Sequence, residues 1–240
     1  MKIKIFSRKQ WGARYANGFG TRPLPDEYVY LHHSVTPAPA KNASFAKEAA
    51  AMRTLENIGQ SRFGHGISYN RLIMPSGHIF SGVSVGRIGA HTANRNTKGI
   101  GVCLVGNYET KALNSTQIYQ LIQLLRYMRA DGQCVKDAKY IPHSAVKATA
   151  CPGKHTRVKI GFINTIADNH RKYDRKLRPG MRGNDVYWVQ ARLRSLGYDV
   201  PFNGKYDDAT TKAVKALKWK KYHVSQTGVG GTFWKYLSDK

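Results

Sequence analysis

Three residues far apart in the sequence have the types and spacing of a catalytic zinc site. His32 lies in YLHHSVTP (30–37), whereas His143 and Cys151 lie eight positions apart in PHSAVKATACPG (142–153). Two imidazoles and a thiolate leave a tetrahedral zinc ion with one open position, which separates catalytic sites from closed structural ones. Zinc lowers the pKa of a water in that position and makes it a nucleophile. Because free cysteines are often simply buried, this hypothesis depends on the sequence around the three residues.

The chain also carries a large excess of positive charge. Its 240 residues include 39 Lys and Arg against 14 Asp and Glu, which gives a formal net charge of +25. Such an excess predicts attraction to a polyanion, and its spread over the whole chain argues against a dedicated nucleic-acid arm. No helix-turn-helix pattern or platform of aromatic and basic residues is evident, so nucleic acid is not expected. An anionic membrane, such as an outer-membrane surface, and a wall that carries anionic polymers stay open as the polyanion.

The cysteines and the N-terminus bear on the compartment. Cys103, Cys134 and Cys151 are too few for a disulfide framework, and if Cys151 binds metal, pairing of the other two stays open. The first residues, MKIKIFSRKQWGAR, lack the apolar region of a signal peptide, and no run is long enough to span a membrane. We therefore expect a monomer without an integral membrane segment, made in a cytoplasm and released by another route.

Hydrophobic periodicity predicts alternating strands and helices in the first 170 residues. The predicted strands cover 28–33, 67–74, 78–81 and 99–105, followed by a short strand that ends at His143, and the predicted helices cover 43–57, 114–130 and about 157–170. The second and third strands form a hairpin through Pro75-Ser76-Gly77, and Asn114 or Ser115 caps the second helix. This alternation implies an α/β fold with a mixed central sheet flanked by helices.

The pattern changes after HRKYDRKLRPG (170–180), a basic segment that ends in Pro-Gly and is typical of a linker. Three short helices follow, of which Asp208 is expected to cap the second and Thr232 the third. They predict a small three-helix bundle, close to the lower size limit for independent folding. The expected division is a catalytic domain over 1–169, a linker over 170–179 and a second domain over 180–240.

Five blocks of the sequence, in order, resemble the zinc N-acetylmuramoyl-L-alanine amidases, the superfamily that includes T7-type phage lysozyme and the peptidoglycan recognition proteins. The resemblance runs from about residue 7 to residue 165, and five blocks in this order are hard to obtain by chance. The blocks are SRKQWGAR (7–14), LHHSVT (31–36), GISYNRLIMPSG (66–77), GAHTANRNTKGIGVCLVGNY (89–108) and HSAVKATACPG (143–153).

The resemblance implies roles for individual residues. His32, His143 and Cys151 match the three ligands of one zinc ion per chain, and Tyr69 matches the catalytic tyrosine near the metal. Thr149 matches a position that is lysine in T7-type enzymes and commonly threonine in recognition proteins that retain amidase activity. A tyrosine hydroxyl can stabilise an oxyanion, whereas the pKa of a threonine hydroxyl excludes a strong general base.

Other matched positions lie on the implied substrate groove or depart from the family. His91 and Asn96 match residues of the groove, and His91 could also take part in proton transfer. Cys103 stands where the cytoplasmic recycling branch of the superfamily has a glutamate. The carboxylate-assisted mechanism of that branch is therefore not expected here.

The C-terminal region resembles the peptidoglycan-binding three-helix module common in lytic enzymes. Asp185 and Gln190 could contact a ligand there, although roles in starting and packing a helix are favoured. The matching blocks are LRPGMRGNDVYWVQARLRSLGY (177–198), FNGKYDDATTKAVKAL (202–217) and TGVGGTFWKYL (227–237).

Together these resemblances imply a peptidoglycan hydrolase that uses zinc-activated water to cleave the amide between N-acetylmuramic acid and L-alanine. Cys151 favours catalysis, because recognition proteins that bind without cutting typically lack this thiolate. A lytic domain and a wall-binding domain without a signal peptide are typical of a phage endolysin, released through a holin to act on the wall. An endolysin is favoured over a bacterial autolysin, and a non-catalytic recognition protein is the alternative.

Overall fold

The computed structural model describes residues 3–168 and 172–239. The chain divides into two compact units, one over residues 3–161 and one that begins at Phe162 and contains the C-terminal helices. Residues 169–171, where we predict the end of the catalytic domain and the start of the linker, lie outside the described residues.

The first unit is built on a six-stranded mixed sheet with the order β1-β4-β3-β5-β2-β6. Its strands are β1 (Ile5–Phe6), β2 (Tyr28–His33), β3 (Arg71–Ile73), β4 (Ile79–Ser81), β5 (Gly99–Leu104) and β6 (Tyr140–Pro142). β3 and β4 form the predicted antiparallel hairpin, and the other neighbouring pairs are parallel. The predicted mixed α/β architecture is confirmed.

Four described helices accompany the sheet; the last three follow the predicted order with different ends, and the first was not predicted. They are α1 (Arg8–Trp11), α2 (Phe45–Phe63), α3 (Ser115–Ala130) and α4 (Lys154–Ala167). α2 runs six residues past its predicted end and stops at Gly64, which has a φ of +73°. Asn114 caps α3 in a capping box with Gln117. None of the described helices is both long enough and apolar enough to span a membrane.

The centre of the sheet is buried, as strands covered on both faces require. Every residue of β5 is buried, and β2 is buried except for its first residue. β2 lies between β5 and β6, with His32 beside Cys103 and Leu31 beside Pro142. Because these three strands are parallel, their carboxyl ends meet at one edge of the sheet. His32 and His33 lie at that edge.

The second unit contains the predicted three helices, α5 (Asn184–Ser195), α6 (Asp208–Tyr222) and α7 (Gly231–Ser238). Two predicted caps are wrong by one or two positions. Asp207 caps α6 by accepting the backbone N–H of Thr210, so Asp208 is the first helical residue. Gly230 precedes α7, which places Thr232 inside the first turn.

Two polar residues of α5 have structural partners, as the favoured interpretation expects. Gln190 is fully buried, and its amide nitrogen donates to Asn203, to the carbonyl of Lys205 and to Thr210. The carboxylate of Asp185 binds Arg175 at 2.6 and 3.2 Å. These contacts occupy the groups that a ligand would need.

Arg22 ties together the segment that leads into β5. Its guanidinium donates to the carbonyls of Val85, Asn96 and Gly99 and lies 2.7 Å from the carboxylate of Asp26. Both side chains of this ion pair are almost completely buried. Burial raises the pKa of Asp26 to about 6, and the guanidinium beside it opposes that shift.

Replacing Asp26 tests how far the fold depends on this pair. Asp26→Asn leaves a buried guanidinium without its counter-charge, so we expect the free energy of unfolding at pH 7.5 to fall by about 3–5 kcal/mol. Urea denaturation measures the change. Glu27→Gln is the matched control, because Glu27 forms an exposed pair with Lys98 at 3.7 Å and should contribute less than about 1 kcal/mol. Equal losses in both variants would contradict this expectation.

Candidate metal centre

The structure brings His32, His143 and Cys151 together from three separate elements. His32 is on β2, His143 begins a short 3-10 helix (His143–Ala145) directly after β6, and Cys151 lies just before α4. Because β2 and β6 are adjacent parallel strands, the two imidazole rings lie side by side, with centroids 4.6 Å apart. The ligand atoms of the three residues all lie within 4.8 Å of one another.

The spacing of these donors fits zinc. Sγ of Cys151 lies 3.6 Å from Nδ1 of His32. A tetrahedral zinc ion with bonds of about 2.0–2.1 Å to nitrogen and about 2.3 Å to sulfur separates two such atoms by about 3.6 Å. Two imidazoles and one thiolate also form a donor set that zinc prefers. These three residues would therefore hold the ion.

Without a cation the cluster is electrically neutral. Burial lowers the pKa of His32 well below its ordinary value, and the neighbouring His91 and His143 lower it further. Burial raises the pKa of Cys151 to about 11, although the backbone N–H of His33, 3.4 Å from the sulfur, and Arg157 oppose the shift. No Asp or Glu is among the described residues that line the surrounding cavity. A divalent cation would bring positive charge into this neutral cluster and convert the thiol to a thiolate, which would balance part of that charge.

These protonation states predict how zinc affinity depends on pH. Between about pH 7 and 8 the imidazoles are neutral, because the pKa of each lies below its ordinary value, and the thiol still carries its proton, so binding should release about one proton per zinc. The logarithm of the association constant should rise by about one per pH unit over this range. Competition against a chelator of known affinity measures the slope. An affinity that is independent of pH would show that the thiolate is not a ligand.

Thr92 fixes the orientation of the His32 ring, a role that the sequence did not reveal. The Thr92 hydroxyl lies 3.2 Å from Nε2 of His32 and 3.0 Å from Nδ1 of His91. When Nδ1 of His32 faces the metal, its Nε2–H donates to Thr92, and the Thr92 hydroxyl donates to His91. Partners of this kind set the tautomer and orientation of ligating histidines. The signal in the sequence is slight, since Thr92 merely follows His91 in the GAHT block.

The loop that carries His91 and Thr92 is itself held in place. The side-chain oxygen of Asn96 accepts the backbone N–H groups of both residues, at 3.0 and 2.8 Å. A Cβ on Gly101 would lie only 2.4 Å from the His91 ring, so the ring packs where glycine leaves room. Asn96 is not among the residues that line the cavity. Its predicted contact with substrate stays a prediction.

The hydroxyl of Thr92 can be removed without changing the shape of the side chain. Thr92→Val leaves the buried Nε2–H of His32 without its acceptor, so we expect zinc affinity to fall by about 10- to 100-fold. Thr92→Ser keeps the hydroxyl and should keep most of the affinity. Both are measured by chelator competition, with thermal unfolding as a check on folding. Equal affinity in the valine and serine variants would remove Thr92 from this role.

The three donors open into a cavity of about 630 Å3 that Tyr69 and Thr149 also line. The Tyr69 ring lies 5.3 Å from the His32 ring, centroid to centroid. Burial, with Cys103 and Cys151 nearby, raises the pKa of Tyr69 well above its usual value, so its hydroxyl keeps a proton to donate. The Thr149 hydroxyl accepts the backbone N–H of Cys151 at 3.2 Å. Thr149 thus holds the backbone of Cys151 from the cavity wall.

Two neighbouring histidines, His91 and His33, are not among the three candidate metal ligands. His91 lines the cavity, but burial and the charge of Arg22 lower its pKa to about 3. It is therefore neutral at physiological pH and a poor proton acceptor. Side chains alternate along β2, and Nδ1 of His33 accepts the backbone N–H of Tyr108 at 3.1 Å. His33 contributes its backbone N–H to Cys151 rather than its ring.

The structure also decides the question left open for the cysteines. Cys103 and Cys134 are both buried, free thiols, so they do not pair. Cys103 lies close enough to Tyr69 to help raise the pKa of its hydroxyl. At the position where one branch of the superfamily carries a carboxylate, this chain thus supports the tyrosine with a thiol.

Comparison with known proteins agrees with this geometry. Residues 21–154 match the family described as N-acetylmuramoyl-L-alanine amidase, and residues 182–232 match a family of peptidoglycan binding domains. The chain is 33% identical over 155 residues to peptidoglycan-recognition protein SC2 of Drosophila melanogaster, covering 63% of this chain and 81% of that protein. It is also 33% identical over 156 residues to the human N-acetylmuramoyl-L-alanine amidase, covering 62% of this chain and 26% of that protein.

Solved structures share the fold of the first unit. Drosophila PGRP-LB superposes with a TM-score of 0.61 at 27% identity, covering 66% of this chain and 94% of that chain. A PGRP-LB variant in complex with tracheal cytotoxin has a TM-score of 0.60 at 27% identity, covering 65% of this chain and 92% of that chain.

Proposed function

Because its family match covers more than half of the sequence, the chain belongs to the N-acetylmuramoyl-L-alanine amidase family, and we propose that it is an active zinc-dependent peptidoglycan hydrolase. The bond cleaved is the amide between the lactyl group of N-acetylmuramic acid and L-alanine. The observation that carries this proposal is the convergence of His32, His143 and Cys151 in one cavity beside Tyr69. The spacing of the donors and their chemical types support a bound zinc ion.

The cavity supplies the groups that amide hydrolysis needs. Zinc, when held by the three ligands, supplies a Lewis acid and lowers the pKa of a water molecule. The protonated hydroxyl of Tyr69 donates to the carbonyl oxygen as negative charge develops there. Arg62 also lines the cavity and carries a permanent positive charge, so it is suited to pair with a carboxylate of the stem peptide.

A non-catalytic recognition protein is the second candidate, because several relatives are named as recognition proteins. Cys151 favours catalysis over that alternative. A protein that only binds peptidoglycan has no need of a thiol placed 3.6 Å from an imidazole nitrogen. The tyrosine, which keeps its proton beside the same site, adds to this argument.

We further propose that the C-terminal unit holds the enzyme on the wall. Its match to a peptidoglycan binding domain supports this role. Linking a binding module to a catalytic one raises the local concentration of substrate around the cavity. The pairing of a lytic and a wall-binding domain is the arrangement of an endolysin, and we propose that class, acting on the wall after release through a holin.

Analysis of the products tests the proposed function directly. Digestion of purified peptidoglycan should create free L-alanine amino groups on stem peptides and no new reducing sugar ends, as judged by mass spectrometry. Cys151→Ala should lose zinc and activity together, because the ligand set then lacks its thiolate. New reducing ends alone would identify a glycosidase. Full activity in a zinc-free Cys151→Ala protein would rule out a zinc amidase.

Tyr69→Phe removes one hydroxyl and leaves the ring in place. Loss of a single donor to the developing oxyanion should lower turnover by roughly 10²–10³-fold. Zinc content, measured by elemental analysis, should stay at the wild-type value, because Tyr69 is not among the ligands. Turnover equal to that of the wild type would assign the oxyanion contact to another group.

A further inference from the structure

The C-terminal unit contains a cleft of about 630 Å3 that no part of the proposed hydrolysis uses. Its walls come from residues 176–179, the end of α6, the loop over 224–228 and the first residues of α7. We call it the basic cleft, because Lys176, Arg178 and Lys218 line it and no Asp or Glu is among its described lining residues.

Lys218 is the most unusual of these cations. Only 7% of the residue is exposed, and its Nζ lies 5.1 Å from the centroid of the Phe233 ring. Burial lowers its pKa, and Lys176 lowers it further by repulsion. A buried cation normally has a counter-charge. Within the described residues no carboxylate forms an ion pair with Lys218, Lys176 or Arg178.

Acidic residues are available near the cleft, because a neighbouring cation forms an ion pair with one. Arg175 precedes Lys176 by one position and has its own partner in Asp185, at 2.6 Å. Two lysines that repel each other inside one cleft raise the energy of the empty site. An anion that enters the cleft removes this repulsion and pairs with a cation that is already largely desolvated.

The start of α7 adds backbone donors to the same cleft. Gly230 and Gly231 line it, and Gly230 precedes the helix without a side-chain cap. The conformation does not require glycine at Gly230, because its φ is −98° and a Cβ there would meet nothing within 4 Å. A glycine leaves the first N–H groups of the helix open to a ligand. The positive end of the helix dipole favours an anion at that place.

We propose that the basic cleft binds a carboxylate group of the peptidoglycan stem peptide, with Lys218 and Lys176 as the cations that recognise it. This inference rests on the proposed role of the C-terminal unit in holding the wall. Tyr222 and Phe233 line the cleft beside the cations and give an apolar wall for the methyl groups of alanine residues. Peptidoglycan is the source of the carboxylate because residues 182–232 match a peptidoglycan binding domain.

The test measures binding of the full-length chain to purified sacculi from which phosphate-containing polymers have been removed. A Tyr69→Phe background slows digestion during the assay. Lys176→Gln combined with Lys218→Met removes two charges while keeping the alkyl stem of the buried lysine. Lys212→Gln combined with Lys215→Gln is the matched control, because it removes the same charge from exposed positions of α6 outside the cleft.

We expect the dissociation constant to rise at least 10-fold in the cleft variant and less than about 2-fold in the control. Sacculi whose carboxyl groups have been converted to amides lack the proposed ligand. The protein with Lys176 and Lys218 unchanged should bind them as weakly as the cleft variant binds intact sacculi. Intact sacculi should also protect Lys176 and Lys218, but not Lys215, from acetylation as measured by mass spectrometry. Lys176→Gln with Arg178→Gln changes only exposed residues, so it gives a second weakened variant if Lys218→Met does not fold.

Three results would overturn the proposal. Equal weakening of the cleft and control variants would show a general effect of charge. Binding that appears only when phosphate-containing polymers are left on the wall would identify a phosphate polymer as the occupant. Unchanged binding by every folded cleft variant would remove the cleft from recognition. The proposed hydrolase activity is tested independently by product analysis. The binding comparison does not depend on the result of that analysis.

Discussion

The parallel pairing of β2 with β6 is the constraint on which the metal centre depends. It fixes His32 beside the strand that leads into His143, so both imidazoles reach the same edge of the sheet. The pairing of β2 with β5 holds this geometry from the other side. A register shift of one residue would turn His32 away from the site and replace it with His33. The precision of the centre therefore comes from backbone hydrogen bonds rather than from the ligands themselves.

Around this frame, polar groups successively hold one another in place. Arg22 donates to backbone carbonyls of the segment before β5. Within that segment, Asn96 accepts the backbone N–H of Thr92, and the Thr92 hydroxyl contacts His32. None of these residues carries out chemistry in the proposed reaction. Each contact restricts the motion of the backbone or side chains around the His32 ring. Metal and oxyanion sites depend on preorganisation of this kind. The buried Asp26 balances the charge that this arrangement introduces.

The sequence indicated the three candidate ligands more readily than the residues that hold them in place. Histidine and cysteine have few roles at such spacing, so His32, His143 and Cys151 could be proposed before any fold was known. Thr92 could not, because a threonine beside a histidine has no distinctive pattern and its role depends on a contact across 60 positions. The cap of α6 was misplaced because Asp207 and Asp208 are adjacent, and the preceding backbone decides which one accepts the hydrogen bond.

Short elements and charged surfaces were equally hard to predict. β1 and α1 contain two and four residues, too few for periodicity to identify, although Ser7 and Gln10 form a capping box there. The basic cleft uses three of the 39 basic residues in a chain where such residues are common. What distinguishes Lys218 is its burial, which depends on how the helices pack. The three C-terminal helices themselves, by contrast, were predicted from the sequence.

The raised pKa of Cys151 also governs how the protein withstands oxidants. Peroxides and disulfides react with thiolates, and a thiol with a pKa of about 11 is almost entirely protonated at neutral pH. Cys151, the cysteine of the candidate metal centre, therefore reacts slowly with oxidants while no cation lies beside it. The sulfur of Cys151 can thus stay reduced in an oxidising environment for as long as no cation is bound beside it.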